Sequence, residues 1–118
     1  MRQKFNNEKT TIDGIKFSSR LEAERFQQLQ FLEEAGEIAH LKLQVELQVF
    51  SGYINPSTGE KTRSTMYVAD FAYVDCQSHK WIVEDTKGVE TPEFRLKWKL
   101  AQSHYPEYEF RKVTRDMV

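Results

Sequence analysis

A single cysteine, Cys76, stands in a chain of 118 residues. No internal disulfide can form, which fits a reducing, intracellular setting. No stretch is long and apolar enough to cross a bilayer, and the opening MRQKFNNEKTT lacks the apolar run of a signal peptide. The expectation is a cytoplasmic protein with no membrane partner. Charge of one sign is also missing: 17 Lys and Arg against 18 Asp and Glu leave a net −1. No broad basic field therefore advertises nucleic acid, although a bound cation would add local positive charge that the count does not register. His40, His79 and His104 are scattered, which with one cysteine argues against zinc chemistry. No serine- or cysteine-nucleophile motif is present. Repeats, linkers and low-complexity tracts are absent too, so residues 1–118 read as one domain.

What is present is globular in character, with 30% charged and 13% aromatic residues. Residues 1–17 are polar and mildly basic, with a turn signal at Asp13-Gly14 and a weak case for a strand or arm through Ile12, Ile15 and Phe17. The simpler expectation there is a loosely held terminus. Ser18 and Ser19 open a helix that Gly36 stops, with Leu21, Phe26, Leu29 and Leu32 as its apolar stripe. Glu22 falls inside that stripe, and Glu24 on the opposite side. Glu22 is thus either a capping-box partner of Ser19 or an acid aimed at a site. Arg25, at the stripe's edge, has an ion pair within reach.

Residues 39–50 alternate Leu41, Leu43, Val45, Leu47 and Val49 with Lys42, Gln44, Glu46 and Gln48, a strand with one wet face. Gln44 reads as solvated, with a reach toward a phosphate or a water as the sharper alternative. A turn-rich loop follows through Asn55-Pro56 and Gly59.

The most informative stretch is YVADFAYVDCQSHKWIVEDTKG, residues 67–88. It reads as two strands and a tight turn. Strict alternation places Asp70 with Met66, Val68, Ala72 and Val74, and Asp85 with Trp81, Val83 and Lys87. A turn centred on Gln77 and Ser78 sets Cys76 against His79, Val74 against Trp81 and Asp70 against Asp85. Opposed carboxylates in apolar strands are costly unless they share a proton or a divalent cation. Lys87 points to the same face. Glu84 points away and reads as structural.

Thr91-Pro92 then starts a second helix, to about His104, packing through Phe94, Trp98, Ala101 and Tyr105. Leu96 and Leu100 form a second apolar pair that holds Lys97 near the sheet. Arg95, Lys97 and Lys99 make a basic flank of the kind a phosphodiester backbone lies along. EYEFRKVT reads as a closing strand. The resulting order is α-β-β-β-α-β, an α/β mixed sheet with helices on its faces.

An acid on one strand, acid-x-lysine on the next and an upstream helix glutamate, in that order, resemble the PD-(D/E)XK nuclease superfamily, with its restriction-endonuclease-like core. More closely, the chain resembles a phage and prophage family of small proteins of uncharacterised function placed within it. The likeness is carried by Asp13 through Ser19, Glu22 through Phe26, Tyr67 through Phe71, Glu84 through Gly88, and Phe94 through Leu100. One departure is Ala69, where the motif has proline before the first acid.

The resemblance implies an endonuclease that hydrolyses phosphodiester bonds of branched or duplex DNA, in phage DNA processing, recombination or junction resolution. A phage-encoded protein would act in the host cell cytoplasm. It implies Mg²⁺ or Mn²⁺ held by Asp70 and Asp85, with the Thr86 backbone carbonyl and Glu22 assisting. Lys87 would activate water or neutralise phosphate charge, and Gln44, Arg95, Lys97 and Lys99 would meet the nucleic acid. Junction resolution would require two sites, hence a homodimer. The alternative is a nucleic-acid-binding or assembly protein that keeps the fold without catalysis.

Overall fold

The computed structural model describes residues 9–118. A short hairpin opens it, β1 (Thr10–Ile12) and β2 (Ile15–Phe17), joined through Asp13 and Gly14, both at positive φ (52° and 80°). Two consecutive left-handed residues are what a two-residue hairpin turn demands, and Asp-Gly supplies them at low cost. The hairpin carries Phe17 into the core against Phe26, with ring centroids 4.9 Å apart. Residues 10–17 are thus a packed element, and the expectation of a loose terminus fails for them. Residues 1–8 of that stretch lie outside the described residues.

Helix α1 (Arg20–Glu34) begins where expected, with the Ser19 hydroxyl accepting the Glu22 amide at 3.1 Å. It ends at Gly36, φ +79°, as the Glu37 amide bonds back to the Leu32 carbonyl. Strands β3 (Ile38–Phe50), β6 (Thr65–Asp75), β7 (Trp81–Thr86) and β8 (Glu109–Val113) form one sheet in the order β3-β6-β7-β8. The first three are antiparallel and β8 runs parallel to β7, so the sheet is mixed as expected. Helix α2 (Pro92–His104), N-capped by Thr91, is the crossover between β7 and β8. Between β3 and β6 a separate ribbon, β4 (Tyr53–Ile54) and β5 (Lys61–Thr62), occupies the turn-rich loop.

The two helices cover opposite faces. Phe26 and Leu29 of α1 pack on Phe71, Tyr73 and Ile82, and Phe94, Trp98 and Ala101 of α2 pack on Leu47, Val49, Tyr67 and Val83. Leu96 is half exposed, so it pairs with nothing in the core, whereas Leu100 joins the α2 side.

Strict alternation along β3 and β6 does not hold. Leu41 and Leu43 pack on the α1 side but Val45, Leu47 and Val49 on the α2 side. Likewise Phe71 and Tyr73 face α1, while Tyr67 and Ala69 face α2. Both strands change face at the same level. Gln44 and Asp70 fall opposite each other there, between the Leu43/Phe71 and Val45/Ala69 pairs, and the ladder skips them. Gln44 has φ +52°, the left-handed region that reverses side-chain direction. A second irregularity, with His40 at φ +57°, shifts the β3/β6 register by one residue between Ala39 and Lys42. The odd-numbered residues of each strand therefore pack toward α1 in one half and toward α2 in the other.

Candidate active site

The β6/β7 hairpin has the expected register over Val74/Trp81 to Phe71/Glu84, which carried one step further sets Asp70 opposite Asp85. Its turn is wider than expected: the Asp75 amide bonds the Lys80 carbonyl, and His79 takes φ +63°. The Asp75 carboxylate accepts the Gln77 and Ser78 amides. Cys76 does not face His79; its amide bonds the Glu37 carbonyl instead.

Beyond Phe71 the strands part, and side chains replace backbone in joining them. Asp70 Oδ2 accepts the Thr86 amide at 2.8 Å and the Thr86 hydroxyl at 2.7 Å. Asp85 is 3% exposed, and burial, a hydrogen bond with Asp70 and the Asp70 charge push its carboxyl up to about 8. The neutral form of Asp85 is thereby favoured, which relieves the like-charge contact with Asp70. Tyr67 donates to Asp85 Oδ2 at 2.5 Å, and Lys87 Nζ lies 3.7 Å from Asp85 Oδ1. The Lys87 ammonium also sits 4.3 Å from the Phe94 ring centroid, whose negative face stabilises the cation.

Glu22 enters from the first turn of α1 and is 3% exposed. Its amide is capped by Ser19, but its carboxylate does not complete a reciprocal capping box. Oε1 accepts from the Ser18 hydroxyl at 2.7 Å and Oε2 from Gln44 Nε2 at 3.2 Å. Burial and the Asp70 charge raise its pKa, against the lowering effect of Ser18 and Lys87. Glu22 is therefore electrically part of the Asp70–Asp85–Lys87 cluster, although both of its oxygens already have partners. Gln44 is exposed, as expected of a solvated glutamine, and its amide also donates to Glu22.

A cleft of about 520 Å³ opens beside Asp70, lined by Ser18, Ser19, Arg20, Thr86, Lys87, Gly88, Thr91 and Arg115 among others. The N-termini of both helices border it, and such termini carry partial positive charge. Its basic wall is Arg20, Lys87 and Arg115, the last also bonded to both oxygens of Glu24 at 3.0 Å. The basic flank expected on α2 is not part of that lining. Lys97 pairs with Glu93 at 2.9 Å, Arg95 reaches the Glu90 carbonyl, and Lys99 is exposed. Helical spacing placed those residues on one helix; it carried no information about which end of the sheet the cleft would occupy.

Glu84, read as structural, is fully buried on the α1 face. Arg25 holds both its oxygens, at 2.8 and 2.6 Å, and Tyr73 donates to it as well. Burial and the Glu84 charge in turn raise the Tyr73 pKa. Tyr67, Arg20 and Arg115 are the site residues that sequence reasoning missed. Tyr67 was hidden by the face change at Asp70, because strict alternation directs its side chain away from Asp85.

The donor set of carboxylate oxygens is chemically suited to a hard cation. Mg²⁺ takes one or two carboxylates and keeps several waters. Among the described residues no group of three or more His, Cys, Asp or Glu is placed to hold an ion. Among the described residues no helix is long and apolar enough to cross a membrane.

The sequence model of a family described as "Protein of unknown function (DUF1064)" matches residues 2–117, nearly the whole chain. The protein belongs to that family. Neither a curated protein nor a solved structure matches it.

Proposed function

We propose that this DUF1064 protein is a Mg²⁺- or Mn²⁺-dependent DNA endonuclease that hydrolyses phosphodiester bonds in branched or duplex DNA, in phage DNA processing or recombination. The observation that carries the reading is the buried Asp70–Asp85 contact, with Lys87 beside it at the mouth of a cleft with basic walls. Placing two like charges together costs free energy that no packing need at this end of the sheet explains. A hard cation, when bound, supplies polarisation of the phosphate and activation of water.

The rest is done by the chain. Asp70 and Asp85, when ionised, would present anionic oxygens to the cation. Thr86 and Tyr67 hold those carboxylates in place. Lys87, with its ammonium over the Phe94 ring, would neutralise charge on the phosphate; of the two roles the sequence left open, this geometry favours the electrostatic one. Arg20, Arg115 and the two helix N-termini would receive the flanking backbone, a task first sought on α2. Glu22, with both oxygens bonded, would act through water rather than as a direct ligand.

The test is cleavage of a labelled panel, comprising linear duplex, single strand, flap and four-way junction, with Mg²⁺ or Mn²⁺. Wild-type protein should cut at least one member, and Asp70→Ala and Lys87→Ala should abolish cutting while remaining folded. Undiminished cleavage by both variants would remove the assignment. The observation favouring a non-catalytic nucleic-acid-binding protein is that both oxygens of Glu22 are already bonded within the fold. That reading predicts DNA binding with no calorimetric Mn²⁺ uptake.

A further inference from the structure

In each carboxylate of the acidic pair, Oδ2 is held by a donor of the fold. Asp70 Oδ2 accepts both donors of Thr86. Asp85 Oδ2 accepts the Tyr67 hydroxyl, while Oδ1 faces Lys87. Tyr67 itself is 3% exposed, its ring wedged between Phe94 and Trp98 at centroid distances of 6.4 and 6.0 Å. The phenol therefore cannot turn elsewhere without breaking the α2 core.

An aspartate carboxylate rotates through a broad, roughly two-fold torsion and, left free, offers either oxygen or both. One whose Oδ2 is bonded to a fixed donor is held in a single orientation, with Oδ1 turned away from that donor. We propose that Tyr67 is a positioning residue that holds Asp85 as a one-oxygen ligand, with Oδ1 as the donor to a divalent cation and Oδ2 reserved for the phenol.

The inference rests on the metal-dependent reading above and adds to it the residue that sets the ligand's geometry. It also gives the face change at Asp70 a consequence. Without that change Tyr67 would lie on the α1 side of the sheet, out of reach of Asp85. Partners that orient a ligand typically contribute 10–100-fold in metal affinity.

The experiment is calorimetric titration of Mg²⁺ into wild-type protein, Tyr67→Phe, Asp85→Asn and the double variant. Tyr67→Phe keeps the ring and removes only the donor. It should weaken Mg²⁺ binding by about 10- to 100-fold, with no further loss when added to Asp85→Asn. A lower melting temperature in EDTA with Mg²⁺ affinity unchanged would make the phenol merely structural and overturn the proposal. Infrared difference spectra of ¹³C-aspartate-labelled wild-type protein on Mg²⁺ addition give a reading independent of any variant's folding. A one-oxygen ligand separates the two carboxylate stretches widely; a narrow separation, the mark of two-oxygen ligation, would refute it. Absence of any Mg²⁺ uptake by wild-type protein would instead sink the metal-dependent reading itself, and the inference with it. Normal uptake with unaltered affinity in Tyr67→Phe sinks the inference alone.

Discussion

Replacing Asp85 by asparagine keeps the shape of the side chain and removes the second acid of the buried pair. In the metal-free wild-type protein the folded state holds a proton that an unfolded aspartate releases near 3.8, because the Asp85 carboxyl is pushed up to about 8. The folded pKa is the higher one. Stability from the held proton is therefore complete below about pH 4 and lost as pH rises through about 8. Four pKa units at 1.36 kcal/mol each amount to on the order of 5 kcal/mol. That is comparable to the whole stability of a small domain, and it belongs to the Asp70–Asp85 pair rather than to either residue.

Urea unfolding in EDTA from pH 4 to pH 9 measures it. Groups with lowered pKa, such as Asp75 and Asp116, work in the opposite direction but are common to both proteins, so the wild-type minus Asp85→Asn difference isolates the pair. That difference should move against the wild type by several kcal/mol between pH 4 and pH 9. Mg²⁺ at 100 times its dissociation constant should restore about 2.7 kcal/mol at the alkaline end of the wild-type curve only. A difference that stays flat within about 1 kcal/mol, less than one pKa unit of linkage, would refute the claim that the two acids are forced together.

Two other perturbations test the scaffold. Arg25→Ala strands the fully buried Glu84 with Tyr73 as its remaining partner, and should cost about 3–5 kcal/mol in urea unfolding; Arg25→Met with Glu84→Gln should recover most of it. Gly52→Ala would set a Cβ 2.6 Å from the Thr62 carbonyl at a backbone φ of +83°, so residues 51–64 should lose hydrogen-exchange protection. The four-stranded sheet should keep its melting temperature within a few degrees, because the ribbon forms a sheet of its own.

Much of the site was legible because its determinants are local. The β6/β7 register follows from a short turn between two strands, so Val74 against Trp81 and Asp70 against Asp85 could be derived by counting. The cap at Ser19, the stop at Gly36 and the Thr91-Pro92 start of α2 depend on neighbours within a few residues. Glu22 was recognisable as the inward acid of α1 from helical phase alone. The 10–17 hairpin was underestimated despite its Asp-Gly signal, because its stability comes from Phe17 against Phe26, a contact no local rule displays.

Sequence alone determined the order of the two helices and the four strands of the main sheet, the helix boundaries and the identity of the two facing aspartates with their lysine. Each of these rests on periodicity, capping or turn geometry acting over a few residues. Only the tertiary structure decided which faces the outer halves of β3 and β6 present, and so that Tyr67 meets Asp85 and Gln44 meets Glu22. It likewise moved the basic wall of the cleft from α2 to Arg20 and Arg115. The physical reason is that the backbone reversal at Gln44, and the change of face in β6 beside it, go with packing against two helices far away in the chain, and a two-residue alternation rule has no means of registering it.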